Sequence, residues 1–233
     1  NQITTTEYEI VAKNGKKGLV DETGRVVIPI KYDDIGWSLG DQLPGEKIIG
    51  YKEGDLWGLI SLSNKKITRP EYTVLRKASN GDIIAAKSGR LSRSYIYAVL
   101  DSEGQVVIPF NYLSIADWNN FYIVSERTNG IHYGLLNQKG GSVLPIEFKS
   151  LRELNSELLI LEDNLGFLRI FNRITSDVLF SELTKIEYGE NQYYQITQGL
   201  LNGLMDDKGN IVIPIGYKAF KKSGTSIEGI EYA

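Results

Sequence analysis

The residues able to carry covalent or acid–base chemistry are few in kind: one histidine, no cysteine, and 29 Asp plus Glu. A Ser-His-Asp arrangement would have to be built around His132. Its setting, Gly130-Ile131-His132-Tyr133-Gly134, reads as a hairpin-to-strand junction, and no Gly-x-Ser-x-Gly elbow lies nearby. An ordinary strand or surface histidine is expected. Gly15-Lys16-Lys17-Gly18 sits between two expected strands rather than at a helix N-terminus, so it forms no phosphate cradle. Glycoside hydrolysis needs only two carboxylates at a suitable separation. The densest pairs are Asp33-Asp34, Glu162-Asp163 and Asp206-Asp207. Neighbours on a strand point to opposite faces, so no such pair is itself a dyad. Asp206-Asp207-Lys208-Gly209-Asn210 is too short for a calcium loop and lacks the distal Glu. The residue types therefore predict no catalytic residue, no metal and no cofactor.

Two features point to binding. Trp37, in Ile35-Gly36-Trp37-Ser38, and Trp118, in Ala116-Asp117-Trp118-Asn119-Asn120, lie in connections flanked by polar groups. An indole there can stack on a sugar or anchor a protein partner, or it can plug the gap between successive structural repeats. The second feature is the basic stretch Lys87-Ser88-Gly89-Arg90-Leu91-Ser92-Arg93, which reads as a solvated hairpin tip or as an anion site.

Composition narrows the partners. The 233 residues are 42% hydrophobic and 24% charged, as in a globular protein, which excludes disorder and collagen-like structure. No aliphatic run approaches the ~20 residues of a membrane-spanning helix. Lys plus Arg number 26, the net charge is −3, and no overall field favours nucleic acid. The chain opens Asn1-Gln2-Ile3 without an initiator Met, which reads as a processed or trimmed chain.

The elements that would position these residues follow from an internal repeat. Lys17-Gly18-Leu19-Val20-Asp21-Glu22-Thr23-Gly24-Arg25-Val26-Val27-Ile28-Pro29-Ile30-Lys31-Tyr32 recurs as residues 97–112 and, from Gly203, as residues 203–217. Looser copies run from Trp57-Gly58-Leu59-Ile60 to Tyr72 and from Tyr133-Gly134-Leu135-Leu136 to Phe148, with a degenerate copy at Gly166-Phe167-Leu168. The anchors near 18, 58, 98, 134, 166 and 203 give six repeats of about 37 residues across residues 1–233, taken as a single domain. In Asp21-Glu22-Thr23-Gly24 and its counterparts at 101–104 and 206–209, an Asp that can bond its own downstream backbone precedes a Gly suited to positive φ. A type I turn closing on a bulge glycine is expected. The following Val26-Val27-Ile28, Val106-Val107-Ile108 and Ile211-Val212-Ile213 read as strands covered on both faces. Pro29, Pro70, Pro109, Pro145 and Pro214 are expected to end them, because proline cannot donate to a ladder. An apolar stretch before each anchor supplies a first strand, so each repeat is a three-stranded meander followed by a Tyr-bearing connection.

Trp57-Gly58-Leu59-Ile60, with Lys17-Gly18-Leu19-Val20-Asp21, Asn202-Gly203-Leu204-Met205-Asp206 and the following Val-Val-Ile-Pro-x-x-Tyr, resembles the WG-repeat (KWG-repeat) family of bacterial β-repeat proteins. Lys17, Tyr97, Tyr133, Leu165 and Asn202 stand in the tryptophan's place elsewhere, and Ala98 replaces one glycine. The resemblance implies interaction modules, often exported or surface-associated, and no catalytic residues.

A lone meander leaves apolar surface uncovered, so neighbouring repeats must stack into a continuous core. The expected fold is all-β: about six tandem three-stranded meanders forming a curved open array, with a closed six-bladed propeller-like ring as the alternative. Tyr32, Tyr72, Tyr112, Phe148 and Tyr217 hold equivalent positions and are expected in packing between repeats. The expected function is that of a non-catalytic binding or scaffold protein recognising protein or cell-surface glycan through Trp37 and Trp118, in an extracytoplasmic compartment. The alternatives are a carbohydrate-active hydrolase or lyase on the same all-β frame, and an assembly protein whose strand edges pair with another copy.

Overall fold

A computed structural model describes residues 7–40, 47–89, 94–189, 193–223 and 226–231. Among them every regular element is a strand. The first sheet is β1 (Tyr8–Lys13), β2 (Lys16–Asp21) and β3 (Val26–Tyr32), and the second is β4 (Asp34–Gly36), β5 (Ile48–Glu53) and β6 (Leu56–Ser61). Four-stranded sheets follow: β7 (Val74–Lys77), β8 (Ile83–Ser88), β9 (Tyr95–Leu100) and β10 (Val106–Tyr112); then β11 (Ser114–Trp118), β12 (Phe121–Arg127), β13 (Ile131–Asn137) and β14 (Ser142–Phe148). The next two are β15 (Ser150–Glu153), β16 (Leu158–Glu162), β17 (Leu168–Asn172) and β18 (Asp177–Leu183), then β19 (Lys185–Tyr188), β20 (Tyr194–Gln198), β21 (Leu201–Met205) and β22 (Ile211–Tyr217). The hairpin of β23 (Ala219–Ser223) and β24 (Ser226–Ile230) closes the series. The protein is all-β, built of tandem antiparallel meanders. It divides into two compact units: residues 1–127 with 135–143, and residues 128–134 with 144–233.

The connection after each meander carries a short strand of its own. The amide of the residue preceding it donates to the next strand at one repeating register: Asp33 to Lys52, Thr73 to Ala86, Leu113 to Ser125, Lys149 to Glu162, Thr184 to Thr197 and Lys218 to Ile230, all 2.7–3.0 Å. That strand supplies a buried aliphatic to the core, such as Ile35, Leu75, Ile115 or Leu151.

The Asp-x-x-Gly turns form as the residue types dictate. Gly24, Gly104 and Gly209 have φ of 79°, 82° and 90°. The Asp21 carboxylate accepts the Thr23 and Arg25 amides, Asp101 those of Glu103 and Gln105, and Asp206 those of Lys208 and Asn210.

The strand after the turn differs from expectation on two counts. Its Val-Val-Ile run is not covered on both faces: Ile28 and Ile108 are fully buried, but Val26, Val106 and Ile211 are 54%, 55% and 48% exposed. These strands lie at sheet edges, so only their inward residues are covered. Four consecutive buried residues occur instead in β5, β6, β8 and β16. Secondly, Pro29, Pro109, Pro145 and Pro214 lie inside β3, β10, β14 and β22 rather than ending them. An edge strand has one side without a ladder, where a missing N–H costs nothing. The chain also bulges at the proline: Leu19 pairs with Ile28 and Lys17 with Tyr32, so Gly18 alone opposes Pro29, Ile30 and Lys31.

This bulge explains the anchor glycine. A Cβ on Gly18 would meet the Ile28 carbonyl oxygen at 2.6 Å and the Ile30 nitrogen at 2.8 Å, and one on Gly203 would meet the same atoms of Ile213 and Ile215 at 2.9 Å. In the degenerate fifth repeat the register puts Arg169, not Gly166, opposite Leu161. Gly166 is instead a hairpin-turn glycine with φ 88°. There Phe180, in the proline's register position after Leu179, has φ 61°, a backbone conformation costly for a bulky residue.

The core lies between successive sheets. In unit 1, Leu19, Ile28, Tyr32, Ile35, Ile49, Tyr51 and Ile60 cluster between the first and second sheets, and Trp37, Trp57, Leu59, Tyr72, Leu75 and Ile83 between the second and third. In unit 2, Leu158, Ile160, Ile170, Tyr194, Ile196 and Met205 form the equivalent cluster. Tyr32, Tyr72 and Phe148 are buried, whereas Tyr112 and Tyr217 are only partly covered.

Candidate functional site

Both candidate tryptophans are buried, Trp37 at 3% and Trp118 at 4% exposure. Trp37 follows β4 and packs on Ile48, Leu75 and Ile83, while Ser38 beside it exchanges bonds with the Leu75 backbone at 2.8–3.0 Å. Trp118 ends β11, tilted against Phe121 at 6.0 Å, and its Nε1 has no hydrogen-bond partner among the described residues. Neither indole presents a stacking face to solvent. Trp37 just follows and Trp118 ends the short first strand of its sheet, and both are covered there. His132 is half-buried in β13, its Nδ1 3.2 Å from the Thr128 hydroxyl. Of the basic stretch, residues 90–93 lie outside the described residues; Lys87 pairs with Glu71 at 3.0 Å and lies over the Phe110 ring at 4.4 Å.

The recesses occur where successive sheets meet. In unit 1 a cavity of about 450 Å³ opens between the second and third sheets, walled by Trp37 and Ile48 on one side and by Lys77, Asn80, Asp82 and Ser102 on the other. In unit 2 a recess of about 250 Å³ lies between the sheets of β15–β18 and β19–β22, lined by Asn155, Glu157, Tyr188, Tyr194, Asp207 and Lys208. The two share three lining positions in register. Lys77 and Ile83 pair at the end of β7 as Tyr188 and Tyr194 do at the end of β19. Ser102 and Asp207 are each the second residue of an Asp-x-x-Gly turn.

The far rim of the unit 1 cavity is held by a polar clamp. Arg76 donates to the Asp117 carboxylate at 2.8 Å and to the Ile115 carbonyl at 3.1 Å, and the Ser79 amide donates to Asp117 at 2.9 Å. The Tyr122 hydroxyl donates to Asp82 at 2.5 Å, and Asn80 donates to both. Burial works to raise the Asp117 pKa but is outweighed by these donors, so the carboxyl stays below its usual range. Burial, with Asp82 adding to it, pushes the Tyr122 hydroxyl well up. Burial also takes Tyr72 up to about 12.

Of the acidic pairs, Asp33, Asp34, Glu162, Asp163 and Asp206 have structural duties. Asp33 is held low by Lys16 at 2.5 Å and by the Gly54 amide, and Asp34 meets Lys17 at 2.8 Å. Glu162 is held low by Lys149 at 2.6 Å and by the Ser150 hydroxyl. Asp21 is held low chiefly by Thr23, and Asp206 by Asn210 and its own turn amides against the opposing effect of burial. At Asp33, Glu162, Asp21 and Asp206 the arrangement favours the ionised form, the opposite of what a general acid needs. Among the described residues no three His, Asp or Glu gather as a metal-ligand group, and no helix is long and apolar enough to cross a membrane. The recess residues Asn80, Asp82 and Tyr188 were missed by sequence reasoning, and Asp207 and Lys208 were considered only as an acidic pair and a calcium loop; for Tyr188 the signal that could have found it is its register match to Lys77.

No curated protein matches the sequence. Among solved structures the chain is similar to a eukaryotic initiation factor at 10% identity and TM-score 0.48, over 91% of this chain and 65% of that one. Thus it spans just under two thirds of that structure. It is also similar to BamB from Moraxella catarrhalis (11% identity, TM-score 0.35, 98% of this chain and 74% of that one) and to a putative TolB from Agrobacterium tumefaciens (13%, 0.34, 81% and 83%). The family model described as WG containing repeat matches residues 18–37, which run from the anchor glycine through the Asp turn, β3 and β4 to Trp37. Residues 18–37 thus match a WG repeat, and the same turn and bulge recur at β21–β22 in unit 2.

Proposed function

We propose that this protein is a non-catalytic binding or scaffold protein whose repeats build polar recesses between successive sheets, with a protein or cell-surface glycan as partner. The observation that carries this reading is that the two recesses share three lining positions in register, since a feature generated by the repeat recurs wherever its lining residues allow. A concave wall with a few convergent polar groups suits ligand binding. The engagement of the acidic pairs in turns and ion pairs supports binding over hydrolysis. Prolines on the edge strands oppose strand addition, which counts against assembly through sheet edges. The net charge of −3 argues against nucleic acid as partner, and the lack of cysteine is compatible with an extracytoplasmic setting.

The test is a glycan array and an envelope-protein capture performed with wild type and with a Lys77→Glu, Ser102→Arg variant that fills the unit 1 cavity. Trp37 is avoided because it is core. Capture without turnover is expected, and a partner seated in the unit 1 cavity is weakened about tenfold or more in the variant. Hydrolysis of a captured glycan would replace this reading with the enzymatic one.

A further inference from the structure

The unit 2 recess contains an aromatic ring in a setting that the unit 1 cavity lacks. Tyr188, the last residue of β19, is 71% exposed, yet its ring is fixed edge-on against the buried Tyr194, with centroids 5.5 Å apart and an interplanar angle of 76°. An exposed ring held by a T-shaped contact presents an apolar face without having to be ordered on binding. Glu157, Asp207 and Lys208 share the recess with it. Ionised carboxylates only accept hydrogen bonds and an ammonium only donates, so the group recognises hydroxyls, which do both.

Asn155 pins these groups in place. Its amide donates to the Asp207 carbonyl at 2.9 Å, and its Oδ1 accepts the Glu157 and Leu158 amides at 2.8 and 2.9 Å. One side chain therefore ties the hairpin bearing Glu157 to the turn bearing Asp207 and Lys208. The cavity of about 250 Å³ is below the ~300–1,000 Å³ of sites for drug-sized ligands. It has room for one ring of a longer molecule, with the rest in solvent.

Resting on the binding reading above, we propose that this recess binds one pyranose unit of a neutral saccharide. The C–H face of the sugar lies on Tyr188, two hydroxyls donate to Glu157 and Asp207, and Lys208 donates to a third hydroxyl oxygen. Two carboxylates against one ammonium disfavour uronic acids and sugar phosphates. Asn155 acts as a positioning residue.

The experiment is calorimetric titration of the full chain with neutral gluco-, galacto- and manno-configured oligosaccharides and with a uronate oligosaccharide. Wild type is compared with Tyr188→Ala, Tyr188→Phe and Ser102→Arg; position 188 is exposed, so its variants keep the fold. A neutral oligosaccharide should bind, with about tenfold loss in Tyr188→Ala, little change in Tyr188→Phe or Ser102→Arg, and at least about tenfold weaker uronate binding. Binding that survives Tyr188→Ala but is lost in Ser102→Arg overturns this assignment and leaves the binding function standing at the unit 1 cavity. Binding of the uronate in preference overturns the proposed chemistry. Absence of binding by every saccharide also overturns it, and capture of a protein partner in the preceding test would then show that only the ligand class had failed.

Discussion

Gly18 and Gly203 are fixed by contact rather than by φ. The proline bulge brings the edge-strand backbone to within 2.6–2.9 Å of where a Cβ would sit, and backbone cannot swing aside as a side chain can. Gly203→Ala should therefore destabilise by roughly 1–3 kcal/mol. Gly216→Ala, where nothing lies within 4 Å, should stay within about 0.5 kcal/mol of wild type. Urea midpoints of the two variants check this, and equal midpoints would remove the contact explanation. Ala98 shows that the packing can adjust: it is fully buried at the equivalent place, opposite a β10 whose pairing slips between Ile108 and Tyr112. Arg169 shows the cost of a larger residue, since Phe180 opposite it is driven to positive φ and its own Nε is buried without a partner among the described residues. The turn aspartates were legible in sequence because their partners lie two and four residues away. The glycine's reason was not, because its contacts come from the next strand.

At the scale of elements, the short strand in each connection decides how sheets join. β7 and β11 are linked through Arg76 and Asp117, with Asp82 and Tyr122 below them. Asp117 sits below its ordinary value of 3.8 in the folded chain. A carboxyl with a depressed native pKa binds its proton more readily when unfolded. Its contribution is present above the ordinary value and is lost as pH falls through the lower native one. Asp117→Asn should cost roughly 2 kcal/mol near neutral pH, and the gap from wild type should narrow below about pH 4. Chemical denaturation across that range measures it, and a pH-independent gap would assign the effect to packing. This clamp could not be read from sequence, because Arg76 and Asp117 are 41 residues apart and lie in two successive connections. The edge prolines were legible as residues that cannot donate, but not as interior strand residues, because edge position is a property of the sheet.

Across the whole molecule, the longest buried runs within strands lie in β5, β6, β8 and β16. β5, β8 and β16 are flanked by ladders on both sides and covered on both faces, whereas β23 and β24 have only each other. Amide exchange should be slowest in β5, β8 and β16 and at least about a hundredfold faster in β24. Uniform protection by mass spectrometry would contradict this order. The all-β class, the repeat, its period and its turns were determined by the sequence alone, since they rest on local residue types recurring in phase. Tertiary structure alone decided which strands are inner and which edge, why the anchor must be glycine, and where recesses remain. It also decided the place of the tryptophans: the sequence left Trp37 and Trp118 open to ligand stacking or to plugging the gap between repeats, and both are buried. Tyr188, at the corresponding strand end in unit 2, stays open to solvent. Burial depends on what packs over a residue, and that cover is brought from dozens of residues away.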